Sequence, residues 1–144
     1  MPRLFRESPL NSIWEGSGNV QCLDVLRAMI KSPASVDAFF TEVKEGAVAE
    51  PRLDAYAKSL RDELPGDVET IEVRARRVVE RMALALQGSL LVRYGDPAVA
   101  DAFCASRLGG DWGQAFGTLP AGVDFGSIIE RHSPAHSPAG VLRH

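Results

Sequence analysis

Apolar side chains recur along this chain at helical spacing, and no stretch alternates with a period of two. Val20, Leu23, Val25, Leu26, Met29 and Ile30 crowd residues 19–30 with few charges between them. That pattern predicts a helix apolar on more than one face and therefore buried, with Ser17 or Asn19 as its N-cap. Ser32-Pro33 breaks the chain, and Val36, Phe39, Phe40 and Val43 then line one side of a second helix over 35–47. Pro51 suits the first turn of a third helix, where a missing N–H costs nothing. Leu53, Tyr56, Ala57, Leu60 and Leu64 supply its stripe. After a Pro65-Gly66 turn, with Asp67 as candidate N-cap, Ile71, Ala75, Val78, Met82, Leu86 and Leu90 repeat up to Tyr94. This is the longest pattern and predicts one continuous helix. Gly88 inside it marks a place where another helix packs closely. Asp96 as cap and Pro97 at the first helical position open a fifth helix. Val99, Ala102, Phe103 and Ser106 face inward there, and Gly109-Gly110 stops it.

These elements predict an all-α fold, an antiparallel helical bundle joined by short loops. The bundle occupies residues 19–110. Residues 1–18, punctuated by Pro2, Pro9, Gly16 and Gly18, read as a loop or helix end that leads into it. Residues 111–144 read as an irregular, poorly ordered tail in which Trp112, Phe116, Leu119 and Phe125 dock singly.

Composition narrows the function. The chain has 144 residues, 45% hydrophobic and 24% charged, with a net charge of −3. That suits one globular domain with an apolar core and gives no global basic footprint of a dedicated nucleic-acid binder. No run approaches the roughly 20 apolar residues of a membrane helix, and residues 1–7 lack the apolar core of a signal peptide. A cytoplasmic location is the expectation. Cys22 and Cys104 lack metal-type spacing and read as small core residues in a reducing compartment. All three histidines, His132, His136 and His144, lie near the end. The helical body therefore offers no Ser-His-Asp or Cys-His arrangement, and chemistry there falls to carboxylates or a cofactor. His132 and His136 have a metal-like spacing, but no further ligand is near and no metal site is expected.

The segment Asn11-Ser12-Ile13-Trp14-Glu15-Gly16-Ser17-Gly18-Asn19-Val20 differs from the rest. It sets a carboxylate between an indole and a glycine-rich turn that runs straight into an apolar helix. A helix N-terminus offers unpaired N–H groups and partial positive charge, and glycines admit a ligand close to the backbone. Together they suit an anion or a nucleotide. Glu15, on the loop beside that site, suits a general base. The same residues also suit a plain helix entry: Ser17 or Asn19 caps, Gly16 and Gly18 turn, and Glu15 is a solvated loop acid.

The run from Asn11 to Val20, continuing through Cys22-Leu23-Asp24-Val25-Leu26-Arg27, resembles the C-terminal signature of the acyl-CoA dehydrogenase family, and within it the alkylation-response flavoprotein branch. The resemblance implies that Glu15 is the base that removes the α-proton of an acyl-CoA while the β-hydrogen leaves as hydride to FAD. It implies that Gly16, Ser17 and Asn19 approach the flavin. Trp14 stands where the commoner enzymes carry Tyr, which implies a narrower acyl pocket, and Asn19 stands where they carry Gln. Members of the family are several times this length. The chain is therefore expected to be a fragment, a split-gene product or a remnant, inactive alone, and to expose a helix face that favours homo-oligomers or domains on another chain.

Arg74, Arg76, Arg77 and Arg81 form a basic run on the long helix. The resemblance to the alkylation-response branch makes Arg74, Arg77 and Arg81 candidate DNA contacts, since phosphate contacts need such arginines. Glu72–Arg76 and Arg77–Glu80 have the spacings of helical ion pairs, and a solvated, ion-paired face is the plainer expectation.

Overall fold

A computed structural model describes residues 2–12, 18–64, 68–110 and 117–133. Every regular element among them is helical: α1 (Pro2–Glu7) with a 3-10 turn (Ser8–Ser12), α2 (Gly18–Lys31), α3 (Pro33–Ala47), α4 (Pro51–Glu63), α5 (Val68–Val73), α6 (Ala75–Tyr94), α7 (Pro97–Phe103) with a π-helical turn (Cys104–Leu108), and α8 (Phe125–His132). The all-α bundle expected from the apolar periodicity is the observed architecture.

Local chemistry accounts for several helix starts. Glu50 caps α4 by accepting from the Arg52 N–H at 3.0 Å, and Pro51 follows at the first helical position. Asp96 caps α7, accepting from the N–H groups of Ala98 and Val99 at 2.9 and 3.3 Å, with Pro97 again next. Each such cap satisfies donors that a helix start leaves open.

α3, α4 and α6 enclose the main core. Phe40, Val43, Ala47, Leu53, Leu60, Ala85, Cys104 and Leu108 are buried in it. Leu26, Ala75 and Val78 form a second cluster between α2 and α6, and Leu64 and Met82 pack against both clusters. Along α6, α4 runs antiparallel: Leu53 lies beside Gly88, and ten residues on Glu63 meets Arg77. A Cβ added at Gly88 would stand 2.9 Å from Leu108 Cδ1 and 3.4 Å from Leu53 Cδ1. The glycine inside the long apolar pattern is thus a site of close helix approach.

Four features depart from the sequence expectations. The long helix is broken at Arg74 (φ −101°, ψ 8°), so α5 and α6 are separate. Val68, Thr70, Ile71 and Val73 make α5 rich in β-branched residues, which lose side-chain freedom in a helix. The break leaves Ile71 against the Leu26 cluster and Val73 exposed. The last turn before Gly109 is π-helical, closed by the Gly109 N–H donating to the Cys104 carbonyl at 3.0 Å. Ser106, inside that turn, donates to the Ala102 carbonyl at 2.6 Å, a back-bond that bends helices. The stretch expected to be irregular contains α8, started by Asp124, which accepts from the Ser127 N–H at 3.0 Å. Finally, α2 is not buried all round. Leu26 is its one fully buried residue, while Val20 and Ile30 are 48% and 58% exposed. Its apolar character exceeds the neighbouring surface among the described residues.

Candidate functional site

The signature segment ends where α2 begins. Trp14, Glu15, Gly16 and Ser17 lie outside the described residues, so their places relative to α2 are not part of the geometry. Asn19 is described. It sits in the first turn of α2, exposed, with Gly18 as the first helical residue. Asn19 is therefore inside the helix rather than its cap. A Cβ added at Gly18 would meet no atom within 4 Å among the described residues. The first N–H groups of a helix, open to a ligand and beside a side-chain amide, can accept an anion or a hydrogen-bonding ring edge.

Exposed apolar side chains occur on both sides of this point in the chain, as they also do on α6 and α8. Leu4 and Phe5 of α1 are 65% and 80% exposed, and Val20 and Ile30 of α2 are exposed too. Single exposed apolar residues are ordinary, but here they bracket the signature.

A second centre was only half foreseen. Arg74, Arg77 and Arg81 converge on one carboxylate, Glu63 at the end of α4. Arg77 Nε donates to Glu63 Oε1 at 2.8 Å, Arg74 Nη1 stands 3.5 Å from the same oxygen, and Arg81 donates to Oε2. Arg81 also donates to Ser59 Oγ at 3.1 Å and lies over the Tyr56 ring, 4.8 Å from its centroid. The Glu63 side chain is only 12% exposed. Burial pushes its pKa up, but the hydrogen bonds and charges of Arg81 and Arg77 together hold it below the ordinary value. Neither Glu72–Arg76 nor Arg77–Glu80 forms an ion pair. The break at Arg74 takes Glu72 out of helical register with Arg76, and Glu63 offers Arg77 a shielded, shared acceptor. The arginine face is ion-paired, but across helices rather than along one.

A third polar centre carried no local signal of its function. Arg52 grips both oxygens of Glu50 at 2.7 Å and donates to Asp101 at 2.7 Å. This ties the α3–α4 turn to α7. Two residues in one turn and a third on a distant helix leave no spacing to recognise.

Among the described residues no group of His, Cys, Asp and Glu is arranged to hold a metal ion. His132 Nδ1 stands 2.8 Å from the Ile128 carbonyl within α8. No helix among them is long and apolar enough to cross a membrane.

One known protein is similar to this chain over most of the chain's length. Over 108 residues the chain is 35% identical to the Escherichia coli (strain K12) protein named "Putative acyl-CoA dehydrogenase AidB". This similarity supports a relationship to the acyl-CoA dehydrogenase family. The match takes in 75% of this chain but only 19% of that relative, so the chain spans about a fifth of its length. No family model matches the chain, and no solved structure matches it.

Proposed function

We propose that the chain is the C-terminal helical part of a flavin-dependent, acyl-CoA-dehydrogenase-like protein of the alkylation-response type. The identity to AidB over three quarters of the chain carries this reading. The division into a signature loop (1–18), a helical body (19–110) and a tail (111–144) belongs to the same proposal, as does a cytoplasmic setting.

In this reading the open first turn of α2, with Asn19 on it, faces the cofactor, and Gly16 and Ser17 extend that contact. Bound FAD supplies a hydride acceptor. Glu15 receives the proton from the α-carbon of an acyl-CoA-like substrate, and Trp14 limits the space beside that carbon. A carboxylate suits this task when burial against an indole raises its pKa toward the working pH. The exposed faces of α1 and α2 are covered by the parts of such a protein that this chain does not span, or by a second copy. The chain by itself is inactive.

A chimera tests this. The segment of AidB that matches is replaced by this chain, and the visible spectrum of the purified product is recorded. The expected product retains flavin. Glu15→Gln leaves the flavin bound and abolishes exchange of the substrate α-proton, whereas Asn19→Ala weakens flavin retention. A folded chimera without flavin sinks the reading.

A DNA-binding module is the second reading. The convergence of three arginines on one carboxylate favours it, because it gathers three guanidinium groups on one face. Such binding falls steeply with salt. Glu63→Gln should strengthen it, and replacement of Arg74, Arg77 and Arg81 should remove it. Binding indifferent to all of these sinks it.

A further inference from the structure

The outer side of the α3–α4 pair carries a groove of about 400 Å³, within the range of small-molecule sites, about 300–1,000 Å³. Ala57 and the edges of Phe40 and Ala47, which are 5% and 8% exposed, give it an apolar floor. Phe40 is held edge-on by Phe39, with ring centroids 5.1 Å apart. Arg61 lies over the Phe40 ring, its guanidinium carbon 4.3 Å from the centroid. The ring thus holds the cation at the edge of the floor.

Lys44 and Lys58 complete a basic rim, and Asp54 is the one acid on it. Asp54 accepts from Lys58 at 2.6 Å, so these two charges offset each other. Lys44 and Arg61 have no carboxylate partner among the described residues. The groove therefore joins an apolar floor to two uncompensated cations.

We propose that this groove binds a small amphipathic carboxylate, with its alkyl chain on the Phe40–Ala57 floor and its head group between Lys44 and Arg61. A planar guanidinium matches the two oxygens of a carboxylate. The inference does not rest on the flavin reading.

The test uses the full chain and three probes: hexanoate, hexanol and acetate, followed by nuclear magnetic resonance shift titration. Hexanoate should saturate, with shifts centred on the groove. Hexanol, which keeps the tail, and acetate, which keeps the head, should each bind at least about tenfold more weakly. The double variant Lys44→Gln with Arg61→Gln should lose at least about tenfold in hexanoate affinity. Absence of saturable hexanoate binding overturns the proposal, as does equal binding of either control probe or an unchanged double variant. If the double variant does not fold, Lys44→Gln alone decides, since that side chain is exposed: weakened hexanoate binding supports the site and unchanged binding overturns it.

Discussion

Gly46 on α3 and Ser89 on α6 meet so closely that a Cβ added to Gly46 would stand 2.7 Å from the Ser89 Cα. Ser89 is fully buried and donates its hydroxyl to the Glu42 carbonyl at 3.1 Å, one turn before Gly46. The glycine lets two backbones touch, and the serine fills the contact without leaving a polar atom unpaired.

Gly46→Ala should therefore destabilise the protein. Within a helix, alanine is favoured over glycine by up to about 1 kcal/mol. Here the added methyl meets backbone, which cannot swing aside, and overpacking costs about 1–3 kcal/mol. A net loss is expected, read as a lower urea midpoint with an unchanged slope. Gly88→Ala is the comparison. Its added methyl faces chiefly the flexible end of Leu108, so its loss should be smaller. If Gly46→Ala is the milder of the two, the close-contact account is wrong.

Glu63→Gln should cost about 1–3 kcal/mol, because it leaves three arginines facing one another without their shared carboxylate. The value stays below that of a fully buried pair, since Arg77 is 69% exposed and solvent screens it. Replacing Glu80 in the same way should change stability by less than about 0.5 kcal/mol, since it holds none of these arginines. Equal losses for the two variants would show that the convergence on Glu63 contributes nothing.

The bundle was legible in the chain because helices announce themselves locally. Apolar spacing gave α3 and α4, and Pro51, Asp96 and Pro97 marked their own helix starts. What was not legible depends on two segments at once. Glu63 carries no signal in its own helix, and its role exists only because α4 runs antiparallel to α6. The mutual fit of Gly46 and Ser89 is hidden for the same reason. The exposure of α2 inverts an expectation: its apolar residues imply burial, but the described residues cover only the side around Leu26. The candidate site rests on a short string, Trp14-Glu15-Gly16-Ser17, outside the described residues, whose proposed meaning lies in its resemblance and not in periodicity.

Acid should weaken the link between the α3–α4 turn and α7. The Arg52 hydrogen bond, together with its charge, holds the Glu50 carboxyl below its ordinary value despite partial burial. A carboxylate depressed in the folded state stabilises that state in full above its unfolded pKa, about 4.3 for glutamate. That stability is lost as the pH falls below this through the folded pKa. The stability gap between the native chain and Glu50→Gln should be constant from pH 7 to about 5 and shrink at lower pH. Urea midpoints measured across that range check this. No gap at any pH would mean that Glu50 acts only through its cap on the Arg52 N–H, which glutamine can also accept, and a gap that persists at the acid end would mean that its charge is not what stabilises the turn.

The two cysteines should separate by reactivity. The thiolate is the attacking form. Burial pushes the Cys104 thiol up to about 11, and no part of that residue reaches solvent. Cys22 is half-buried on α2, whose far side is uncovered. At pH 8 in native buffer, a disulfide reagent should label Cys22 and leave Cys104 untouched until the chain unfolds. The labelling rate of Cys104 then reports the opening of the α3–α4–α6 core, so Gly46→Ala should raise it and Cys22→Ser should not. Fast labelling of Cys104 in the folded chain would mean that α7 and its π-helical turn open on their own, and that Arg52, through Asp101, does not hold α7 to the body.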